Sequence, residues 1–422
     1  GFYDAAFSIE TSKTDVIVNI KENKPVKITD INISSDHDIS NLVTLKKGQI
    51  FRSKEFVSIK KNIVEDLLQE GYCSYDLDSK AYVDLDKHEV DVRFKLKKGG
   101  LCTFGKTSVE GLETIDDAVV LSRVRARDGE RFNIERIRET HDAIYALDAF
   151  DSVSVKHDRK FYNVVPLDVE AVEVSKPWYV KGDVDYDTAL GVRVSAQVLR
   201  TNFMGNGKQI SLGLAYSDKD KLAELSYFIP ALFKISDYYI DLTSKIGYST
   251  FIYTGFKEEK MFGKAFLSYN DEKLSINAGL SLENIDISLR HYPVIHGIET
   301  GNFSPIYPFL NFVYDRRDSK FDPKNGYYIG GEVEYGLPYD DEASSYLKYS
   351  LEGRVIHTFS DLTLAAVAKA GIVDQQENDI PESKLFFAGG VYSNRAYGYK
   401  RVGVIYSPTV YGIDGGATMA NL

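Results

Sequence analysis

The spacing of apolar residues along the chain changes once, near residue 175. Before this point, two helical patterns with apolar side chains three and four residues apart stand between short strands. Beyond it, apolar and polar residues alternate one by one, as in 209–216, 274–283 and 347–355. A period of two indicates β-strands with one apolar and one polar face. The chain therefore divides into an α/β part and an all-β part.

The two helical patterns of the α/β part follow similar tetrapeptides. Gly48-Gln49-Ile50-Phe51 precedes a pattern over 54–68, and Gly129-Glu130-Arg131-Phe132 precedes another over 134–147. A Ser and an Asn stand where the two helix N-caps belong, at Ser53 and Asn133. We expect each helix to pack one apolar face onto a small sheet.

Short strands surround each helix in the same order. One strand precedes the helix and an alternating pair follows it, at 26–33, 73–84 and 88–97 and again at 102–109, 151–158 and 163–173. Residues 1–20 read as another such pair without its helix. The expected repeat is strand, two helices, strand, strand, over roughly 75–80 residues. Repeats of this size predict a string of similar modules.

The all-β part contains about eleven strands of a length that suits a membrane-crossing barrel. Lys, Glu and Arg occupy the polar phase at mid-strand, which suits a water-filled lumen better than the outer face of a soluble sandwich. A further strand begins near 415, and more strands are expected in the full protein, since such barrels close with an even number. The eleven lie near 178–190, 192–203, 207–217, 221–230, 236–250, 258–270, 273–284, 306–317, 326–336, 345–358 and 361–374.

Composition and charge narrow the functional classes. Mean hydropathy is -0.25, and no run reaches the roughly 18 apolar residues of a spanning helix. The 29 Tyr and 23 Phe, against one Trp, suit strands and interfacial girdles. A net charge of -11 argues against a nucleic-acid partner. The first residues read like the middle of a module, so we expect a processed or trimmed chain.

Residues that could carry chemistry are few. Cys73 and Cys102 lack a CxxC or zinc-type spacing, and we expect two buried or free thiols rather than a disulfide. The histidines do not cluster, and His291 and His296 share a loop without ligand spacing. HExxH, GxSxG and P-loop motifs are missing from the sequence. We therefore predict no enzyme, no cofactor and no metal site.

The most specific string lies in the last third of the chain. It runs through Phe386-Phe387-Ala388-Gly389-Gly390, then Arg395-Ala396-Tyr397-Gly398-Tyr399, then Val402-Gly403. It resembles the sixth extracellular loop of the outer-membrane assembly factor superfamily that includes BamA and TamA. Arg395 matches the family arginine and Tyr397 its aromatic residue, whereas Asn394 and Ala396 replace the usual Val and Gly.

The resemblance carries implications for this loop, roughly 375–404. In the family it folds back into the lumen, and its arginine pairs with acidic residues of the barrel wall. Those acids are expected on strands after the loop. In this chain Arg395 is expected either unpaired or against one of three acids of the polar phase, Glu332, Glu334 or Glu352.

A second string resembles the family's Asp-x-Arg-Asp…Pro-x-x-Gly element, a strand end followed by a tight periplasmic turn. Its residues are Asp315, Arg317, Asp318, Pro323 and Gly326. Pro and Gly suit the turn. We interpret the charges as structural rather than as contacts to a client.

The repeated modules resemble the POTRA domain. The expected organisation is a partial module at 1–24, modules at 25–98 and 99–174, and a transmembrane barrel at 175–422. We expect this barrel to be C-terminally incomplete, with about sixteen strands in the full protein. In the family, an exposed strand edge of these periplasmic modules pairs with unfolded clients. A linker that only spaces the barrel from the periplasm is the alternative. The first barrel strand carries Trp178, Gly182 and Asp185 and pairs poorly, which predicts a lateral seam.

The resemblance implies insertion of β-barrel or autotransporter clients into the lipid bilayer of the bacterial outer membrane. Tyr397-Gly398-Tyr399 after the arginine is more similar to TamA-type than to BamA-type members. A TamA-type protein would use a TamB-like partner anchored in the inner membrane. The alternatives are a BamA-type central assembly subunit and a two-partner secretion pore. An enzyme fused to a barrel would need a catalytic domain upstream.

Overall fold

The computed structural model describes the chain except residues 4, 13–14, 158–162, 188–190, 291–297, 340–342, 391–392, 404–414 and 422, and gives only the backbone of Asp187 and Glu377. His291 and His296 therefore lie outside the described residues. The chain forms two compact units. One contains Gly1–Gly111, Arg123–Ala146 and Ser152–Val172, and the other Leu112–Ser122, Leu147–Asp151 and Glu173–Leu422. In the described part of the chain, no helix is long and apolar enough to span a bilayer.

Two three-stranded sheets repeat one topology. The first sheet contains β3 (Lys27–Ser35), β4 (Asp76–Asp84) and β5 (Glu89–Lys97), in the order β3-β5-β4, and α1 (Ser53–Gln69) follows β3 in the chain. The second sheet contains β6 (Thr103–Glu110), β7 (Phe150–His157) and β8 (Val164–Glu173), in the order β6-β8-β7. Two helices, α2 (Asp117–Leu121) and α3 (Ile134–Tyr145), lie between β6 and β7 in the chain. In both, the strand before the helix runs parallel to the last strand. An isolated antiparallel pair, β1 (Ala6–Thr11) and β2 (Val16–Lys21), precedes them.

The similar tetrapeptides make equivalent hydrogen bonds. Gly48 and Gly129 both adopt a left-handed φ, +83° and +81°. The Gly48 N–H donates to the Ile28 carbonyl at 2.7 Å, and the Gly129 N–H donates to the Phe104 carbonyl at 2.9 Å. Glycine is favoured at such φ values, which explains why both tetrapeptides begin with it. The phenylalanines that end them are both buried, at Phe51 and Phe132.

The helices differ from the expected pattern at two points. Asn133 caps α3, accepting a hydrogen bond from the Glu135 N–H at 2.8 Å, but the Ser53 cap was wrong. Ser53 is itself the first helical residue, and Arg52 precedes it without a side-chain cap. The first module also lacks its expected first helix, and residues 36–52 form turns, bends and an isolated β-bridge between Ile50 and Lys27. Asp, Ser and Asn in this segment compete with helical hydrogen bonds.

The cysteine prediction was also wrong. Cys73 and Cys102 form a disulfide, with Cα atoms 5.9 Å apart. The β4–β5 hairpin brings its two ends together, and the Cys102 N–H donates to the Gly71 carbonyl at 2.9 Å. Sequence spacing does not report this meeting of distant backbone segments.

A thirteen-stranded antiparallel sheet forms the all-β part. Its order follows the chain from β9 at one end to β21 at the other, with the short β16 beside β15. The strands are β9 (Trp178–Asp187), β10 (Gly191–Arg200), β11 (Gln209–Tyr216), β12 (Asp220–Ile235), β13 (Tyr238–Ile252), β14 (Phe256–Asn270), β15 (Leu274–Leu289), β16 (Gly301–Phe303), β17 (Ile306–Asp315), β18 (Gly326–Gly336), β19 (Ser345–Phe359), β20 (Leu362–Glu377) and β21 (Thr418–Asn421).

The two faces of this sheet differ in polarity. On one face, charged side chains pair across strands, and Lys245 Nζ lies 2.6 Å from Glu224 Oε1. On the other face, large apolar side chains such as Leu225, Ile246 and Met261 are exposed. A polar lumen and an apolar lipid-facing surface give this pattern. The sheet is part of an antiparallel transmembrane β-barrel that follows α/β modules.

Candidate functional site

A buried lysine joins the β20–β21 loop to the polar face of the barrel. Lys384 lies in a 3₁₀ turn, Glu382–Lys384, and its side chain is 8% exposed. Its Nζ atom lies 3.1 Å from Glu283 Oε2 on β15 and 3.3 Å from Glu334 Oε2 on β18. Since β17 separates these two strands, the ammonium group connects segments that do not pair directly.

Two tyrosines complete this charged cluster. The Tyr307 hydroxyl donates to Glu283 Oε1 at 2.7 Å, and the Tyr346 hydroxyl donates to Glu334 Oε2 at 3.4 Å. The Tyr307 ring centroid also lies 3.8 Å from the Lys384 Nζ. Buried ions are stable only where partners and hydrogen bonds replace their hydration. The cluster provides both, so it can hold the start of the loop inside the barrel.

Neighbouring residues of the loop are buried with Lys384. Glu382 accepts a hydrogen bond from the Glu299 N–H at 3.3 Å. Phe386 packs onto Gly371 of β20, where an added Cβ would lie 2.4 Å from the ring. Lys348 Nζ lies 5.3 Å from the centroid of the same ring. The glycine thus makes room for the loop on the polar face.

The tip of the loop is a compact turn with exposed side chains. The Gly389 N–H donates to Ser393 Oγ at 2.7 Å, and the Gly390 N–H donates to the Tyr397 carbonyl at 2.9 Å. A Cβ on Gly389 would lie 2.3 Å from the Gly398 carbonyl oxygen. These contacts explain the need for glycine in the motif. The aromatic residues around the arginine, Tyr397 and Tyr399, are exposed.

Arg395 itself is exposed and makes no ion pair with the described residues. Arg395 does not contact the three acids of the polar phase that were its alternative expected partners. Glu334 binds Lys384, and Glu352 pairs with Arg354 and Lys369. Arg395 makes no hydrogen bond or ion pair with Glu332 either. The loop is therefore held at its buried start, while its motif arginine lies in solvent.

The end of the described loop has its own contact with the barrel. Lys400 Nζ donates to the Tyr253 hydroxyl at 3.0 Å and lies 4.8 Å from the Phe251 ring centroid. Both aromatic residues belong to the β13–β14 connection or its edge. Cation–π contacts of this kind hold a lysine without a carboxylate.

The second motif builds the β17–β18 turn. Arg317 forms a two-pronged ion pair with Asp315, at 2.9 Å and 2.7 Å. The Asp318 carboxylate accepts the backbone N–H groups of Lys324 and Asn325, both at 2.9 Å. Gly326 has φ +123°, and an added Cβ would lie 2.3 Å from the Arg316 carbonyl oxygen. Half-exposed Pro323 stands within the turn. These hydrogen bonds and the ion pair stabilise the turn.

The strand β9 forms one end of the sheet. In the described part of the chain its only neighbour is β10. Asp185 lies opposite Arg193 in the register, yet Arg193 pairs with Asp220 at 3.2 Å. Gly182 contributes no side chain, and Trp178 contacts the Arg200 guanidinium at 5.3 Å. β9 therefore lies at the edge of the described sheet.

A carboxylate holds together segments next to the first barrel turn. Glu173 Oε1 accepts the backbone N–H groups of Glu113, Thr114 and Ile115 at 2.7–2.9 Å. Its Oε2 accepts from the Asn202 amide at 3.2 Å. Burial raises the pKa of Glu173, but these hydrogen bonds outweigh it and lower the pKa below its ordinary value.

Sequence reasoning missed Lys384, Glu283, Glu173 and the disulfide. Lys384 lies in the polar string Pro-Glu-Ser-Lys, which is typical of an exposed turn. Glu283 is one of several acids in the polar phase of the strands. No local pattern separates these residues from solvated charges, because their burial depends on contacts between distant segments.

Fold and site define an outer-membrane β-barrel preceded by periplasmic modules. The Omp85 superfamily domain matches residues 202–421, and the POTRA family, described as a surface antigen variable number repeat, matches residues 24–99. The chain therefore belongs to the Omp85 superfamily. The barrel lies in the bacterial outer membrane and the POTRA modules lie in the periplasm, as expected from the resemblance.

Three known proteins illustrate what this chain is similar to. The outer membrane protein assembly factor BamA of Nitratidesulfovibrio vulgaris is 22% identical over 94% of this chain and 52% of its own length. The chain thus spans about half of that curated relative. The structure of Haemophilus ducreyi BamA lacking POTRA domains 1–3 is 18% identical, with a TM-score of 0.56, covering 93% of this chain and 81% of that one. CdiB from Escherichia coli is 12% identical, with a TM-score of 0.47, covering 92% and 74%.

Proposed function

We propose that this protein inserts β-barrel or autotransporter clients into the outer membrane through a lateral seam at β9. The observation that carries the proposal is the position of β9, a ten-residue strand at the edge of the described sheet, together with its sequence, in which Gly182 contributes no side chain toward pairing. An extended client segment can add to such an edge through main-chain hydrogen bonds, whatever its side chains. Membership of the Omp85 superfamily and the BamA relative support this role.

The proposal also gives roles to the POTRA modules, the Lys384 cluster and Arg395. The POTRA modules receive the unfolded client, and their sheet edges offer the same kind of pairing. The buried Lys384 cluster keeps the loop fixed on the polar face while the seam opens. Arg395 engages acidic residues of the barrel wall transiently, while a client is being assembled. No catalytic group or cofactor takes part.

Cross-linking from the edge strand tests the seam. A photoreactive residue at Val184 on β9, 71% exposed, should capture an unfolded barrel client in proteoliposomes. The matched control is Leu225, which has the same lipid-facing orientation on the interior strand β12 and should capture little. Equal capture at both positions, or capture at neither during active assembly, would contradict the seam.

The fate of the client separates insertion from export by a two-partner secretion pore. Insertion leaves a folded, protease-resistant barrel in the same bilayer. Export delivers the client into the aqueous compartment on the other side. Delivery without membrane-embedded client would favour the secretion alternative.

We further propose that the protein is a TamA-type member of the superfamily. It is supported by Tyr397-Gly398-Tyr399 after the arginine. A TamA-type protein should co-purify with a TamB-like partner anchored in the inner membrane. The lack of such a partner in the purified complex would favour a BamA-type subunit.

A further inference from the structure

Three metal-ligating side chains meet at the C-terminal end of α1. Asp66 and Glu70 lie one turn apart on the same face of the helix, and His37 approaches them from the segment after β3. His37 Nε2 lies 3.1 Å from Asp66 Oδ2 and 3.8 Å from Glu70 Oε2. All three ligand atoms lie within 4.8 Å of one another.

His37 and Asp66 lie within hydrogen-bond distance, and the separations within the group also fit a shared cation. In a tetrahedral zinc site with bonds near 2.1 Å, ligand atoms stand about 3.4 Å apart. The two distances to His37 Nε2 lie on either side of that value. A histidine–carboxylate ion pair needs one acid, whereas this arrangement brings two.

The helix gives a second reason for a cation. Asp66 and Glu70 stand at the negative end of the helix dipole, where acids are unfavourable, and the last turn has no basic residue. Like charges four residues apart also repel. Arg131 donates to the backbone carbonyl of Glu70, but in the described part of the chain only His37 pairs with the two carboxylates.

We propose that His37, Asp66 and Glu70 bind one zinc-type divalent transition-metal ion, with a remaining position open to water. An imidazole ligand favours zinc-type ions over calcium or magnesium. His37 is 14% exposed, and Asp66 and Glu70 are more open, so an ion can enter from solvent. The loop is already ordered for binding, since the His37 N–H donates to Ser35 Oγ at 3.0 Å. The ion ties the non-helical segment 36–52 to α1.

Calorimetry with zinc chloride tests the site on the full chain in detergent, after removal of metal with a chelator and without a histidine tag. One saturable equivalent should bind. His37→Ala and Asp66→Asn should weaken binding by at least about tenfold, the loss that even supporting residues cause at metal sites. His141→Ala is the matched control, because His141 contacts a single acid, Asp142, at 2.9 Å and should bind as the wild type.

Two further readouts keep the test independent of folding defects. Glu70→Gln alters a half-exposed side chain and should also weaken binding. Zinc should protect residues 36–52 from limited proteolysis in the wild type but not in His37→Ala. Absence of saturable binding by the wild type would overturn the proposal. So would binding that persists unchanged in all three ligand variants, which would leave an ordinary ion pair.

Discussion

Lys384 and Arg395 belong to one loop, yet they lie in opposite environments. Lys384 is buried between two carboxylates, whereas Arg395 is exposed and has no ion pair among the described residues. Removing the partner of a buried charge costs several kcal/mol, while an exposed charge contributes little to stability. Burial, rather than membership of a recognisable motif, decides which charge holds the loop.

The largest expected effect is that of Lys384→Met. It removes the shared cation from the buried carboxylates Glu283 and Glu334, leaving Glu283 only the more distant Lys260 at 3.9 Å, and should destabilise the barrel by about 3–5 kcal/mol. Urea unfolding in detergent, followed by circular dichroism, measures the loss. The control is Lys369→Met, whose amine lies 3.9 Å from Glu352 on a 37% exposed side chain and should cost about 0.5 kcal/mol or less.

A triple variant sharpens this test. Replacing Glu283 and Glu334 by Gln alongside Lys384→Met removes all three charges and should recover much of the stability. Equal losses for Lys384→Met and Lys369→Met would show that burial does not set the difference between them.

Asp315→Asn should give an intermediate effect. It breaks the two-pronged pair with largely buried Arg317 and should cost about 1.5–3 kcal/mol by the same unfolding measurement. Asp322→Asn, in the same turn, removes a pair with Lys324 from an 80% exposed side chain. That control should unfold like the wild type, and a comparable loss would contradict the ranking by burial.

Glu173→Gln should cost about 1 kcal/mol at pH 7. The folded pKa of Glu173 lies below its ordinary value, so its stabilisation is complete above the unfolded pKa of about 4.3. It is lost as pH falls through the lower folded value. The difference between wild type and Glu173→Gln should therefore shrink between pH 7 and pH 3. A difference that grows on acidification would reverse the assigned direction.

The smallest effect on stability is expected for Arg395→Ala, about 0.5 kcal/mol or less, similar to Arg401→Ala in the same loop. Client assembly should nevertheless fall in Arg395→Ala, and Arg395→Lys should restore it only in part, since an ammonium lacks the planar fork. Unfolding of the complete protein and a client-folding assay measure the two effects. A loss of several kcal/mol would mean that Arg395 is buried against a partner there.

Local patterns predicted most of the strands. Alternation over 274–283 lies within β15, and the tetrapeptides at Gly48 and Gly129 make equivalent hydrogen bonds. Both features depend on residues close in sequence. The exact limits of the modules and the roles of the motif residues stay predictions.

Features that join distant segments of the chain were not predicted from the sequence. Only one of the two helices expected in the first module forms, and residues 36–52 contain turns, bends and an isolated β-bridge instead. Lys384 has the local setting of an exposed turn, and its burial follows only from the positions of Glu283 and Glu334 on separate strands. The same reason applies to Cys73 and Cys102, which form a disulfide because the β4–β5 hairpin between them brings its two ends together.

The disulfide changes what a protease can release. Residues 74–101, including the whole β4–β5 hairpin, lie inside the covalent ring that Cys73 and Cys102 close. A single cut near Asp86 therefore severs the backbone without separating the two halves. The nicked chain migrates as one band on a denaturing gel until a reductant is added, and then divides in two.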